Sequence, residues 1–214
     1  SLYAQLTIEE NVLVHVQEDK GLWVNSEGTI IANGSAGNEI VFTSSNVQGG
    51  LLWRGMKIAS NSSLNKLEYT HIRYAGNSEL GFSGTDYTTA IGIEDGKLKL
   101  LNAEVSNSGG YGIMLHSGEL PEFAANHFAN NTNYGIRINA DQVGSLDDAT
   151  TFSDPHMAVN IYGSTLSSTT DMTWPMLAGD ARYYVSGDVN ISSYLEIMPG
   201  ALFDFAEDKY FGVL

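Results

Sequence analysis

The chain has 214 residues, enough for one or two domains with a real core. Charged residues make up only 16% of it, yet the formal net charge is −15 and there is no cysteine. This excludes disulfides and argues against nucleic acid or anionic lipid as a partner, since both need clustered Lys and Arg. The 23 glycines against 4 prolines, with abundant Asn, Ser and Thr, describe a turn-rich β protein. No apolar run approaches the roughly 18 residues of a membrane span, so membrane insertion is not expected.

Residues 6–24, LTIEENVLVHVQEDKGLWV, alternate apolar and polar positions in the manner of short strands. They return without a gap as residues 195–213, LEIMPGALFDFAEDKYFGV. Leu6, Ile8, Leu13, Glu18, Asp19, Lys20 and Val24 recur as Leu195, Ile197, Leu202, Glu207, Asp208, Lys209 and Val213. An internal repeat of this kind is the mark of a repeat architecture.

Between the copies the strands fall into columns. Gly21-Leu22-Trp23-Val24, Gly55-Met56-Lys57-Ile58, Ala90-Ile91-Gly92-Ile93, Gly112-Ile113-Met114-Leu115 and Gly135-Ile136-Arg137-Ile138 share one template, with starts 34, 35, 22 and 23 residues apart. A second column aligns Ile72, Val105 and Phe128, each preceded by a polar residue. Periods of about 20 to 35 residues built from short strands and Gly/Asn turns predict an all-β fold, a parallel β-helix or solenoid. No coil can bury its inner face alone. Stacking at about 4.8 Å pairs the backbones and brings like residues together, as with Met56, Ile91, Ile113 and Ile136. An antiparallel sandwich also shows many short strands, but it lacks this like-on-like stacking.

Residues 78–89 read as an outward insertion. Residues 140–182 break the rhythm and are expected as an irregular connector, with one further strand at Val159-Asn160-Ile161-Tyr162-Gly163. Residues 183–214 reopen the repeat. The domain reading is therefore one β-helix module over 1–182 and the opening of a second over 183–214, cut from a longer array.

Leu6-Thr7-Ile8-Glu9, Gly28-Thr29-Ile30-Ile31-Ala32-Asn33-Gly34, Glu39-Ile40-Val41-Phe42-Thr43-Ser44 and Trp53-Arg54-Gly55 resemble the right-handed parallel β-helix repeat proteins of bacterial surfaces. Leu195-Glu196-Ile197-Met198-Pro199-Gly200 resembles the same family's module opening. The wider pectate-lyase-like superfamily includes enzymes, tailspikes, adhesins and non-catalytic surface proteins. The resemblance thus implies an architecture, and an extracellular or cell-surface location, without fixing an activity.

No phosphate loop, HExxH helix, Cys-based zinc site or serine-hydrolase elbow is present, and no catalytic residues are assigned. The expectation is a non-catalytic module, adhesive or glycan-binding. The alternatives are a polysaccharide lyase or glycoside hydrolase on the same scaffold, and a passive spacer. Parity places His71, Glu104 and His127 outward on three successive coils. Two imidazoles flanking a carboxylate could hold a divalent cation such as Zn²⁺, or the Glu could simply accept hydrogen bonds from two surface histidines. Asp147, Asp148 and Asp154 form the densest acidic loop and could suit Ca²⁺, or serve only as solvated charge. Tyr111 and Tyr134 occupy equivalent places before successive strands, and Trp53 lies close to that position. Their rings, with Trp23, would form a platform for a polysaccharide or cell-surface glycan if exposed, and corner packing if not. The incomplete last coil leaves an unpaired edge, which predicts end-to-end self-association.

Overall fold

The computed structural model describes residues 4–81, 87–167 and 171–214. Residues 82–86 of the expected insertion and residues 168–170 lie outside them. The architecture is all-β, with parallel strands stacked into a β-helix around one continuous core. Among the described residues no helix is long and apolar enough to cross a membrane.

Three sheets enclose most of the core. The first stacks Ala4–Glu9, Gly28–Asn33, Lys66–Glu68, Lys99–Leu101 and Phe123–Ala124. The second stacks Leu13–Val16, Ile40–Ser44, Thr70–Arg73, Glu104–Ser106, His127–Ala129 and Thr151–Phe152. The third is the longest. It runs Gly21–Val24, Gly55–Ile58, Thr89–Ile93, Tyr111–Leu115, Ile136–Ile138, Val159–Ile161, Arg182–Val185 and Leu202–Phe205. The columns expected from sequence are those observed: Met56 pairs Ile91, Ile91 pairs Ile113, and Ile113 pairs Ile136. All four are fully buried. In the second sheet Ile72, Val105 and Phe128 are likewise in register and face the core.

The corners between sheets are sharp, and several residues there take the left-handed conformation. Asn102 and Ala125 do so between the first and second sheets, and Asn107 and Asn130 between the second and third. Tyr69 and Tyr74 do the same on an earlier coil; Asn recurs at these corners because its short amide tolerates this region and bonds locally. Gly55 has φ +119°, and a Cβ there would sit 2.7 Å from the Ala90 carbonyl oxygen. The backbones approach so closely at this corner that only glycine fits.

Buried amides replace the backbone ladder where it lapses. Asn65 accepts from the Ile30 amide and donates to the Ser60 and Lys97 carbonyls. Asn126, on a later coil, accepts from the Ala103 amide and donates to the Leu100 carbonyl. Each ties neighbouring coils together inside a dry corner, where an unpaired polar group would be costly.

The segment 140–182 differs from the irregular connector expected. It opens with the short 3₁₀ helix Ala140–Ser145, and Thr151–Phe152 and Val159–Ile161 then join the second and third sheets. Ser164–Leu166 and Met172–Trp174 start two further parallel sheets, continued by Val189–Ile191 with Phe211–Val213 and by Leu195–Ile197. The coils therefore run through this segment. Their strands of two or three residues are too short to show a period in sequence.

Candidate functional site

The outer face of the third sheet gathers the most distinctive chemistry. Its outward file carries Lys57, Gly92, Met114, Arg137, Asn160 and Tyr184 on successive strands. Gly92 offers no side chain. Met114 points outward as expected but is not exposed, because Leu80 covers it. Lys57 donates to the Gly81 carbonyl at 2.7 Å and pairs with Glu94 at 2.6 Å. These contacts hold the chain around Leu80 against the sheet.

Arg137 lies one strand beyond Met114. Its guanidinium carbon is 4.4 Å from the Tyr87 ring centroid and 4.6 Å from that of Tyr162, with Tyr111 at 5.5 Å. The cation is thus fixed by ring faces. It also donates to Asn160 Oδ1 at 2.5 Å and to the Tyr87 hydroxyl at 3.4 Å, while its buried Nε has no partner among the described residues. Beside it, Tyr134 and Tyr184 stack with centroids 5.4 Å apart and planes 16° apart. The Tyr162 hydroxyl donates to the Leu115 and His116 carbonyls. Burial pushes the Tyr162 phenol up to about 12, and burial together with the nearby Tyr184 does the same for Tyr134. Both are neutral across the physiological range. The arrangement offers aromatic surface, phenol hydroxyls and a positioned guanidinium on an otherwise acidic protein.

The aromatic platform expected from sequence is only partly brought together. Trp53 is fully buried. Its ring stacks on Phe42 at 6.5 Å, and its Nε1 donates to the Arg73 carbonyl, so it fills the core and cannot stack on a sugar. It precedes its strand at a corner, where alternation does not dictate direction. Tyr111 is 8% exposed beneath the edge of Tyr87. Tyr134 is half-buried against Tyr184, and Trp23 is exposed with Arg54 above its ring. Sequence reasoning missed Tyr87, Tyr162 and Tyr184. Tyr184 had a signal, since its neighbour Tyr183 continues the inward file. Tyr162 fell within the strand expected at residues 159–163 but lies just past its observed end, and Tyr87 lies outside any strand and had no signal.

The file of His71, Glu104 and His127 exists in the expected register on three adjacent strands. Its cation is a side chain. Arg73 grips both Glu104 oxygens, at 2.9 and 3.1 Å, and its Nη2 donates to His71 Nδ1 at 2.9 Å. Ser106 adds a third hydrogen bond to the carboxylate, and His127 Nδ1 turns to Thr151 Oγ1. Among the described residues no group of three or more His, Asp or Glu is arranged to hold a metal ion. Burial alone would raise the Glu104 carboxyl, but Arg73 and Ser106 stabilise its charged form and hold it below its ordinary value. Burial lowers His71, and the Arg73 charge lowers it further.

The acidic loop is used by the backbone. Asp147 accepts from the Ala125 and Ala149 amides and from the Thr150 hydroxyl, and Asp154 caps the short 3₁₀ helix Pro155–Met157 by accepting from the His156 amide. Asp148 is exposed. Carboxylates so engaged are turn-formers first.

No protein family matches the chain, and the comparisons with curated proteins and with solved structures likewise find no match.

Proposed function

We propose that this chain is a non-catalytic β-helix module of a secreted or cell-surface protein, related to the β-helix repeat proteins of bacterial surfaces, and that it binds glycan on the outer face of its third sheet. The observation that carries the reading is the gathering of Tyr87, Tyr111 and Tyr162 about Arg137, with the Tyr134–Tyr184 stack further along the same sheet. Aromatic rings stack on the apolar faces of sugars, while phenol, amide and guanidinium groups bond their hydroxyls. A stiff solenoid places such groups on a fixed lattice set by the coil spacing, which suits an extended polymer.

The test is a glycan array followed by calorimetry on any ligand found. Tyr87→Ala and Tyr134→Ala should each weaken binding at least tenfold while the far-ultraviolet spectrum stays native. If no glycan binds at millimolar concentration, or if neither variant changes a measured affinity, the glycan reading fails and the passive spacer remains. Release of reducing ends or unsaturated products from uronate or neutral polysaccharides would instead establish the enzyme alternative.

A further inference from the structure

The ten Lys and Arg residues of the chain face 25 Asp and Glu, and seven of the ten form ion pairs with carboxylates. Of the other three, Lys20 is exposed, and Arg54 rests over the Trp23 ring with its Nε on Ser78 Oγ. Arg137 is the third. It is half-buried, and among the described residues it makes no ion pair. Its acceptors are neutral: Asn160 Oδ1, the Tyr87 hydroxyl and the Tyr111 hydroxyl. Asp141 is close enough to act on the Tyr162 phenol, but it forms no pair with Arg137.

The surroundings hold this cation in place without neutralising it. Burial raises the Tyr111 and Tyr162 phenols, so neither supplies a negative charge at neutral pH. The Tyr87 and Tyr162 rings lie 4.4 and 4.6 Å from the guanidinium carbon. Asn160, which accepts from it, is itself anchored, since its Nδ2 donates to Ser186 Oγ at 2.8 Å. Ring faces and neutral oxygens stabilise a cation less than a carboxylate does. An anion arriving here therefore meets a charged donor that is already ordered, and little further freedom is lost on binding.

Resting on the glycan reading above, we propose that this face takes an acidic glycan, with the anionic oxygens of one sugar unit, a carboxylate or a sulfate ester, bound at the Arg137 guanidinium. The planar guanidinium matches either group with two parallel hydrogen bonds. Neighbouring sugar rings stack on Tyr87 and on the Tyr134–Tyr184 pair. Tyr184 stands two strands beyond Arg137 in the same outward file, about 10 Å away, so one chain touches both. The formal charge of −15 repels polyanions in general, which makes the recognition local. At about 150 mM salt, where charges act over only about 8 Å, binding depends on the cation in contact and not on the field of the whole protein.

The test is calorimetry of the 214-residue chain at that salt concentration with matched pairs of oligosaccharides. One pair is alginate and its carboxyl-reduced, neutral form. The other is carrageenan and its desulfated form. At least one acidic member should bind tenfold or more tighter than its neutral partner, and which one does so identifies the anion as carboxylate or sulfate. Arg137→Gln should remove that preference and leave the affinity for the neutral member unchanged. Lys97→Gln removes the same charge from a surface pair with Glu119 and should keep the preference. Should Arg137→Gln lose its native far-ultraviolet spectrum, Arg137→Lys replaces it, with the charge kept and the planar fork lost, and the preference should fall at least threefold. Equal binding of acidic and neutral members, or a preference that survives in the Arg137 variants, would overturn the acidic-glycan inference and leave the glycan reading standing. Binding of no member at millimolar concentration would overturn both.

Discussion

Asn126 gives the sharpest test of how the coils are held together. It is 1% exposed, its Oδ1 accepts from the Ala103 amide at 3.0 Å, and its Nδ2 donates to the Leu100 carbonyl at 3.1 Å. Leu100 and Ala103 are themselves buried, so no water replaces the amide when it is removed. Asn126→Ala leaves two backbone groups without that partner, at about 1–3 kcal/mol each, or about 2–6 kcal/mol together. With a urea slope of about 2 kcal/mol per molar, a loss of about 3 kcal/mol lowers the unfolding midpoint by about 1.5 M. Asn77 is the control. Its amide bonds Asp19 at the surface, so Asn77→Ala should stay within about 0.5 kcal/mol of wild type. Native-state hydrogen exchange supplies the local readout, because the Ala103 amide should lose protection more than the Ile113 amide. Equal urea midpoints for the two variants, or an Ala103 amide still protected in Asn126→Ala, would refute the buried-bridge reasoning.

Acid titration tests the Arg73–Glu104 pair. Its side chains are 34% and 25% exposed, so screening limits it to about 1 kcal/mol, or a loss of about 2–4 °C in Tm for Glu104→Gln at pH 7. The Glu104 carboxyl is lowered by folding, so its contribution is present above the unfolded value near 4.3 and lost as pH falls through the folded value. The Tm gap between wild type and variant should therefore close below about pH 4, and a gap that persists at lower pH would count against the pair. Glycine geometry offers a second comparison by thermal melting. Gly55→Ala meets the Thr89 and Ala90 carbonyl oxygens at 2.8 and 2.7 Å and should cost about 2–4 kcal/mol. Gly37→Ala, at φ 84° with nothing within 4 Å, should cost only about 1 kcal/mol.

The parts of this fold legible in sequence are those where one inward residue alternates with one outward residue over several coils. The file Met56, Ile91, Ile113, Ile136 could be read because burial selects the same residue type at each level, and the structure pairs these positions directly. Trp53 could not be read, because a corner residue has no alternation to follow and its direction is set by the space beside Phe42. The segment 140–182 was illegible for a related reason. A six-residue 3₁₀ helix stands ahead of two- and three-residue strands there, and neither leaves a period.

The His71–Glu104–His127 file shows where parity reaches its limit. Alternation placed all three residues outward and adjacent, and the register is as expected. What lies between them was decided by a residue on the same strand and of the same parity. Arg73 stands two positions after His71, and its side chain is long enough to cross to Glu104 on the neighbouring strand. A guanidinium satisfies a carboxylate with two parallel bonds and needs no metal's dehydration to do so. The sequence already held that information, in the pattern His71-Ile72-Arg73 opposite Glu104-Val105-Ser106. On a solenoid, outward residues must be read in two dimensions, along the strand as well as up the column. An arginine within two positions of an acid–imidazole file is its first candidate cation.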